Sequence, residues 1–282
     1  MDCMELTHKE VLSILPDRKP DSHKSDYGRV LLLCGSRGYT GAAALAAMGA
    51  LRCGAGLVYL GVPESIYAIE AIKLNEAIVF PVSDCDGKMS QGAIEDIKEF
   101  LPKIDVVLIG PGLGCSVGTE AVTRYVLEHF SGPIVLDADG INVIAEHKDI
   151  LRGRTSPTIL TPHPGEFARL GGVIGENREY AAIGMALDLG VTVVLKGYRT
   201  VITDGVSCYV NPTGNPGLAV GGSGDVLAGM IAGLLGVGLS VIEAASCGAW
   251  LHGAAADLCA QKMGQYGMLP TDVLQVLPRL LK

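Results

Sequence analysis

The sequence has few charged residues, and the charges it has are mainly acidic. Charged residues make up 18% of the 282 residues, and 30 Asp and Glu against 22 Lys and Arg give a net charge of −8. A nucleic acid is held through many phosphate contacts, which need a broad basic surface. The composition therefore argues against a nucleic-acid partner, but it leaves room for a nucleotide in a local pocket.

Cross-linking and targeting signals are also missing. None of the eight cysteines lies in a Cys-x-x-Cys pair, so we expect free thiols in a reducing cytoplasm rather than a metal ribbon or a disulfide. The amino terminus, MDCMELTHKE, has early acids and no apolar core, which argues against a signal peptide. The apolar run Val226–Ile242 is shorter than the ~20 residues of a spanning helix, so we expect no membrane partner.

The common nucleotide-binding motifs are absent too. The sequence contains no G-x-x-x-x-G-K-[ST] phosphate loop. The loop Gly35–Gly41 spaces its glycines as G-x-x-G-x-x-G, which is not the G-x-G-x-x-G dinucleotide fingerprint, and no suitable acid closes the second strand, GLVYLGV. These absences exclude a P-loop ATP site and make a NAD-dependent dehydrogenase a weak hypothesis.

Apolar runs typical of covered strands alternate with stretches typical of helices. We expect strands at 29–34, 56–62, 77–82, 106–109, 134–137, 158–161 and 191–195, and an antiparallel hairpin of 200–203 and 207–210. We expect helices over 6–15, 40–54, 63–72, 90–101, 116–129, 139–147, 177–189, 224–238, 240–263 and 271–281. This alternation predicts one α/β domain over 1–282, with a mostly parallel central sheet between helical layers.

The stretch Asn215–Gly229, NPGLAVGGSGDVLAG, is the least explicable by packing alone. Its clustered glycines permit a tight turn, and the first amides of the following helix suit a phosphate. Asp225 would repel that anion unless it handles a proton. It is therefore a candidate general base for a substrate hydroxyl, and an ordinary first-turn acid is the alternative. The amides expected to hold the transferring phosphoryl group are those of Gly222, Ser223 and Gly224.

Other unusual loops follow the predicted strands, where parallel sheets collect ligands. They are Gly35–Gly41, Gly110–Gly114, Asp137–Asn142, Thr161–Glu166 and Lys196-Gly197. Glu166, through water, with Asn142 could hold a Mg²⁺–nucleotide complex, since Mg²⁺ takes few protein ligands. The structural alternatives are tight turns for the glycine loops, a helix cap at Asp139 or Asn142, a structural His163 whose hydrogen bonds are satisfied within the protein, and a solvated Lys196. His252, on an apolar helix, is expected to be structural.

These motifs resemble a known family. Asn215–Gly229 is similar to the anion-hole and catalytic-aspartate region of ribokinase-like phosphotransferases. With GSRGYTGAA (35–43), GPGLG (110–114), LDADGIN (136–142), TPHPGE (161–166) and LKG (195–197), the chain resembles the ADP/ATP-dependent NAD(P)H-hydrate dehydratases over roughly residues 8–280. The resemblance implies a ribokinase-like three-layer α/β/α sandwich.

The resemblance also implies a reaction, the repair of nicotinamide nucleotides. ADP phosphorylates the ring hydroxyl of the S epimer of hydrated NADH or NADPH, and elimination of phosphate returns NADH or NADPH, with AMP and phosphate as the other products. Mg²⁺ is the implied cofactor. ADP rather than ATP is the expected donor, because this short chain looks like the bacterial type.

The resemblance also implies which residues form the site. Asp225 activates the hydroxyl, and the hydrate contacts are Ala43, Gly112, His163 and Asp225. The anion hole is formed by Gly222, Ser223 and Gly224, and the adenine nucleotide is lined by Lys196, Gly197, Tyr198, Arg199, Thr200 and Gly224. Tyr198 departs from the small residue of many relatives, so its ring must point away or stack on the ligand.

Partners and alternatives complete these expectations. Many bacterial relatives carry an amino-terminal epimerase domain that this chain starts too late to contain, so a separate epimerase is the expected functional partner. A homotetramer and a cytoplasmic location are expected. A kinase of the same fold, acting on a thiazole or pyrimidine alcohol, remains an alternative, as does a non-catalytic nucleotide-binding protein.

Overall fold

The computed structural model describes residues 3–281. The strands are β1 (Arg29–Leu33), β2 (Leu57–Pro63), β3 (Ile78–Val82), β4 (Asp84–Cys85), β5 (Lys88–Met89), β6 (Val106–Ile109), β7 (Ile134–Leu136), β8 (Thr158–Leu160), β9 (Thr192–Leu195), β10 (Val201–Thr203) and β11 (Cys208–Val210). The helices are α1 (His8–Ile14), α2 (Thr40–Arg52), α3 (Glu64–Lys73), α4 (Ala93–Lys98), α5 (Val117–His129), α6 (Asp139–Ile144), α7 (Asp149–Arg152), α8 (Pro164–Arg169), α9 (Arg178–Leu189), α10 (Ser223–Gly236), α11 (Val241–Met263) and α12 (Pro270–Val276).

The central sheet has nine strands in the order β11-β10-β9-β8-β7-β6-β1-β2-β3. Its pairs from β9 to β3 are parallel, and β10 and β11 extend it in antiparallel fashion at one end. β4 and β5 form a separate antiparallel hairpin. The predicted class, a mostly parallel sheet in an α/β protein, is confirmed.

Alternate residues of the strands feed two separate cores. In β1, Val30 and Leu32 join a core with α2, α10, α11 and α12, whereas Leu31 and Leu33 join a core with α5 and α9 on the other face. This alternation is what the two-residue period of a strand dictates when both faces are covered. The result is the three-layer arrangement of helices, sheet and helices.

The apolar run of α10 lies against α2 with almost no space between the backbones. A Cβ on Gly229 would overlap the carbonyl of Ala46, and one on Gly233 would lie 2.5 Å from the carbonyl oxygen of Ala50. The glycines therefore serve close helix packing inside the protein. Across residues 3–281 no helix is long and apolar enough to cross a membrane.

Most predicted elements are present, but several differ. The hairpin β4–β5 and the helices α7 and α8 were not expected, and the helix predicted over 90–101 is reduced to α4 and a 3₁₀ turn, Leu101–Lys103. The last helix ends at Val276 and continues only as a 3₁₀ turn, Leu277–Arg279. The last two are places where a proline, Pro102 or Pro278, removes a backbone donor.

The expectation of free thiols is wrong for one pair, since Cys3 and Cys208 form a disulfide. The backbone of Met4 lies beside β11, accepting from Val210 N–H at 2.8 Å and donating to the carbonyl of Cys208 at 2.9 Å. This pairing brings together cysteines from distant parts of the sequence, which their spacing cannot reveal. The thiols expected to be free remain so at Cys34, Cys53, Cys85, Cys115, Cys247 and Cys259.

Candidate active site

The strand order reverses between β1 and β6, since the chain builds the sheet outwards on either side of them. The helices that follow, α2 and α5, leave for opposite faces, which opens a crevice at the carboxyl ends of the strands. The loops Gly35–Gly41 and Gly110–Gly114 form its walls. Ser36 Oγ donates to the carbonyl of Gly112 at 2.7 Å, and Gly35 N–H donates to that of Pro111 at 2.8 Å.

The start of α10 lies at the same edge and leaves the amides of Gly224 and Asp225 open, whereas the N–H of Ser223 donates to the carbonyl of Val220 at 3.4 Å. Gly222 is the N-cap at φ +98°, a conformation that favours glycine, and no side chain caps the helix. Within the described chain the N–H groups of Gly224 and Asp225 have no hydrogen-bond partner, and the buried Ser223 Oγ has none either. Together with the helix dipole, these free donors make a site for an anion.

Asp225 occupies the third position of α10, half-buried and facing other carboxylates. Burial, and then the negative charge of Asp137, raise the pKa of Asp225 to about 6, although the ammonium of Lys196 opposes the shift. A carboxylate with this pKa is ionised at neutral pH and still accepts a proton readily. These are the properties of a general base that works near pH 7.

Lys196, which follows β9, brings positive charge to this point. Its Nζ donates to Asp137 Oδ1 at 2.6 Å and lies 3.8 Å from Glu166 Oε2. Although burial opposes the charged form, these carboxylates raise the pKa of Lys196. A Cβ on Gly224 would lie 3.3 Å from Nζ. The ammonium is thus a charged, mainly buried group beside the anion site rather than a solvated lysine.

His163 and Glu166 belong to the start of α8, where their side chains accept hydrogen bonds from its backbone N–H groups. Nδ1 of His163 accepts from the N–H of Gly165 at 2.9 Å and from that of Glu166 at 3.3 Å. Nε2 therefore carries the ring proton and lies 3.2 Å from Glu166 Oε1. Glu166 Oε2 accepts from the His163 N–H at 2.8 Å. The imidazole of His163 caps α8, and about half of this side chain stays exposed to solvent.

Burial raises the pKa of Glu166, although Lys196 opposes this effect. Three carboxylates, Asp137, Glu166 and Asp225, therefore share one ammonium. Among residues 3–281 no three His, Cys, Asp or Glu side chains are arranged to hold a metal ion by themselves. The excess negative charge nevertheless fits a Mg²⁺ that arrives with nucleotide phosphates and takes few protein ligands.

Asn142, the other predicted metal ligand, is engaged elsewhere. Its Oδ1 accepts from Arg169 Nη1 at 2.9 Å, and its Nδ2 donates to Asp139 Oδ1 at 3.1 Å. The second oxygen of Asp139 accepts from Gly114 N–H at 2.8 Å. A cation at Asn142 would have to displace the guanidinium from the carbonyl oxygen. The structure therefore does not join Asn142 and Glu166 directly.

Two of the predicted hydrate contacts, Ala43 and Gly112, lie at the loops that follow β1 and β6. Ala43 is fully buried in the first turn of α2, where a Cβ on Gly35 would lie 2.9 Å from its methyl group. Gly112, at φ +62°, packs so closely against Ala42 and Tyr39 that a side chain would collide with both. These small residues keep the two loops in contact.

The predicted nucleotide loop follows β9. Gly197, at φ +149°, lies against the guanidinium of Arg178, which also donates to the carbonyl of Lys196 at 3.1 Å. Thr200 Oγ1 donates to the carbonyl of Gly197 at 3.0 Å and closes the turn. The guanidinium of Arg199 pairs with Glu5. Tyr198 is 91% exposed, and both expected orientations of its ring, pointing away or stacking on the ligand, stay predictions.

Sequence reasoning missed the contribution of Asp137, whereas it expected His252 to be structural, as the structure has it. Asp137, buried directly after β7, accepts from both Thr161 Oγ1 and Lys196 Nζ at 2.6 Å; its position at a strand end was the available signal. His252 is buried on α11, and burial lowers its pKa to about 4, opposed by a hydrogen bond to the backbone of Ser223. The neutral imidazole of His252 therefore holds the backbone at the start of α10 through its contact with Ser223.

Comparison with known proteins identifies the family of this arrangement. A sequence model described as NAD(P)H-hydrate dehydratase matches residues 30–279. The bifunctional NAD(P)H-hydrate repair enzyme Nnr of Moorella thermoacetica is 45% identical over 96% of this chain and 52% of its own length. The chain spans about half the length of the first curated relatives it matches. The ADP-dependent (S)-NAD(P)H-hydrate dehydratase of Bacillus subtilis is 36% identical over 98% of this chain and 97% of its own.

Solved structures agree. A ribokinase-like superfamily protein of Enterococcus faecalis has a TM-score of 0.88 at 30% identity, over 98% of this chain and 94% of that one. The ADP/ATP-dependent NAD(P)H-hydrate dehydratase of B. subtilis, co-crystallised with ATP and Mg²⁺, has a TM-score of 0.82 at 33% identity, over 99% and 98%. These structures confirm the ribokinase-like sandwich. From the match over residues 30–279 and these relatives, the chain belongs to the NAD(P)H-hydrate dehydratase family.

Proposed function

We propose that the protein is an ADP-dependent (S)-NAD(P)H-hydrate dehydratase, a lyase that repairs hydrated NADH and NADPH. The observation that carries this proposal is Asp225, a carboxylate with a pKa of about 6 at the uncapped start of a helix. Beside it lies the charged Lys196, 3.3 Å from the position of a Cβ on Gly224. A base and an anion site in contact suit transfer of a phosphoryl group to a hydroxyl.

In the first step the hydroxyl proton of the hydrate passes to the carboxylate of Asp225. The freed oxygen bonds to the β-phosphorus of ADP, and the bond from that phosphorus to the leaving AMP breaks. The amides of Gly222, Ser223 and Gly224 hold the charge on the transferring group. The second step breaks the carbon–oxygen bond and releases phosphate, while the proton of the neighbouring carbon passes to the departing phosphate or to solvent water, which restores the ring double bond of NADH.

The remaining residues take binding roles in this proposal. Lys196, Gly197, Tyr198, Arg199, Thr200 and Gly224 line the adenine nucleotide. Ala43, Gly112 and His163 face the hydrate. Glu166, through water, holds Mg²⁺ bound to the nucleotide, with Asn142 as a further ligand once Arg169 has moved off its oxygen. The metal ion supplies neutralising charge at the phosphates. The names of the B. subtilis relatives, which include ADP and a complex with ATP and Mg²⁺, support these ligands.

A functional partner, an oligomeric state and a location are also proposed for the protein. The bifunctional names of relatives that are about twice as long support an epimerase as functional partner. A homotetramer and a cytoplasmic location are retained as proposals. The disulfide Cys3–Cys208 is unusual for a reducing compartment, so mass spectrometry of protein alkylated inside cells tests the location through the state of these cysteines.

The test is incubation of the protein with the S epimer of hydrated NADH, Mg²⁺ and either ADP or ATP. We expect recovery of NADH absorbance, with one AMP and one phosphate per NADH when ADP is the donor. A stable phosphoester in place of NADH would support a small-molecule kinase instead. No recovery with either donor would overturn the proposal. Comparing the two donors at equal concentration decides the preference for ADP.

A further inference from the structure

The first residues that the structure describes lie along the edge of the sheet formed by β11. Met4 adds one bridge to β11, in parallel with Tyr209, and Cys3 beside it is bonded to Cys208 of that strand. A single bridge supplies only two backbone hydrogen bonds, and the side chain of Met4 is exposed. Because an exposed bridge of this length is weak on its own, the disulfide is the main tether of residues 3–5, here called the strap.

The strap reaches the loop that follows β9. The carboxylate of Glu5 pairs with the guanidinium of Arg199, which lies in the predicted nucleotide loop, residues 196–200. Both side chains are nearly half-exposed, and an ion pair in such a place contributes little when its partners move freely. Glu5 does not move freely, because it lies between the disulfide at Cys3 and the packed side chain of Leu6. Tethering raises the effective concentration of the carboxylate at the guanidinium.

The loop is strained where Glu5 holds it. Arg199 has φ +54°, in the left-handed region that residues with a side chain rarely adopt, so this conformation persists only where contacts enforce it. Tyr198, just before it, is exposed. The carbonyl of Thr200, just after it, accepts from the N–H of Asn211 at 2.9 Å, directly beyond β11. Contacts from one edge of the sheet therefore fix both Arg199 and Thr200.

We propose, building on the dehydratase function above, that the disulfide Cys3–Cys208 is a redox-sensitive clamp on the nucleotide loop. With the disulfide formed, the strap holds Glu5 against Arg199, and the loop keeps the conformation that binds ADP. With the disulfide reduced by a dithiol, the strap leaves β11 and the loop loses this support. Lys196 is held separately by Asp137, so the charge at the anion site remains. Reduction therefore weakens nucleotide binding and leaves the chemical step unchanged.

The disulfide is open to a reductant from one side. Cys208 is buried, whereas Cys3 is only partly buried. A thiolate of the dithiol therefore attacks Sγ of Cys3, and the sulfur–sulfur bond breaks with its electron pair leaving on Cys208, which takes up a proton. The second thiolate of the dithiol then displaces Cys3, which also takes up a proton. The dithiol ends as a disulfide, and the protein ends with two thiols.

The experiment compares the oxidised protein with protein reduced by dithiothreitol, and mass spectrometry after alkylation verifies each state. ADP with Mg²⁺ is titrated into each by calorimetry. We expect reduction to weaken ADP binding by ~3- to ~10-fold, and to raise KM for ADP to the same extent while kcat stays unchanged. Cys3→Ser, which leaves the buried Cys208 in place, should show the weaker binding in both states. The matched control Cys85→Ser changes an exposed free cysteine and should respond like wild type.

Two further readouts separate the clamp from a general loss of stability. Glu5→Gln keeps the disulfide but removes the charge, so its oxidised form should bind ADP nearly as weakly as reduced wild type. Without nucleotide, hydrogen exchange of the Val210 N–H, which donates to Met4 at 2.8 Å, and of loop 198–200 should be faster after reduction. Unchanged ADP affinity on reduction, or an equal change in Cys3→Ser, would overturn the inference. If wild type fails to regenerate NADH, the dehydratase function falls and these binding and exchange measurements alone decide the clamp.

Discussion

The helices α8 and α10 start alike in sequence and differently in structure. Each has a glycine at its second position and a carboxylate at its third, Gly165-Glu166 and Gly224-Asp225. In α8 the His163 ring takes two backbone N–H groups and Glu166 turns back to the N–H of His163. In α10 the N-cap is Gly222, and no side chain, that of Asp225 included, caps the helix.

The difference shows how one local pattern serves either stability or chemistry. The donors of α8 are satisfied within the protein, so its start contributes a rigid edge and a half-exposed imidazole. In α10 the N–H groups of Gly224 and Asp225 have no partner in the described structure and are left for a ligand. The carboxylate of Asp225 stays near Asp137 and Lys196 and has a raised pKa. The cap decides the role, because a capped N-terminus has few donors left to give to an anion.

The largest expected effect comes from Asp225→Asn. The amide cannot accept the hydroxyl proton, so kcat should fall by ~10²–10⁴-fold while ADP binding stays within about threefold of wild type. Steady-state assays and calorimetry measure the two quantities. The matched control is Glu243→Gln, which also changes a first-turn acid, at the start of α11, and should leave kcat unchanged. Normal turnover by Asp225→Asn would remove the distinction between the two helix starts.

The Gly224→Ala variant tests whether a ligand at the start of α10 needs the space that the missing side chain of Gly224 leaves beside Lys196. The added methyl would lie 3.3 Å from Lys196 Nζ and within the anion site, so kcat/KM should fall by ~10- to ~100-fold. Because Ala is a better helix former than Gly, the free energy of unfolding should stay within ~1 kcal/mol of wild type. Gly184→Ala, at an exposed position of α9 with open space around it, is the control for both measurements. Full activity in Gly224→Ala would show that the site lies elsewhere.

The raised pKa of Asp225 predicts a pH profile. The base must be ionised, so kcat/KM should fall tenfold per unit below about pH 6, the pKa of Asp225. Asp137→Asn removes a like charge, lowers that pKa and should move the acid limb to lower pH by roughly one unit. Lys196→Met removes the opposing cation and should move the limb to higher pH. An acid limb that stays in place in both variants would assign the titration to another group.

The sequence predicted the strand ends and loops that form this site, but it did not predict the side-chain contacts between them. Strand ends at Leu33, Leu136 and Leu195 followed from apolar runs, and the convergence of the following loops followed from parallel pairing. The pairing of Asp137 with Lys196 could not be predicted in the same way, because it joins the ends of two strands that are not adjacent in the sheet.

Helix α8 and the disulfide were missed for a related reason. The prolines of TPHPGE hide a short helix from any periodicity, although Pro164 at the first position and Glu166 at the third are start signals. Cys3 meets Cys208 only because the backbone of Met4 adds to the edge of β11. Contacts between distant segments depend on edges and caps, for which local sequence carries little signal.

The smallest expected effects are changes in the free energy of unfolding, and they compare the N-termini of α8 and α10. His163→Ala removes the acceptor of the Gly165 and Glu166 amides, so the free energy of unfolding should fall by about 1 kcal/mol. Ser223→Ala removes a hydroxyl that has no hydrogen-bond partner in the described structure, and its effect should stay below ~0.5 kcal/mol. Chemical denaturation of both variants without nucleotide measures the difference. An equal loss in the two would mean that Ser223 also caps its helix, and the contrast between α8 and α10 would then be one of degree.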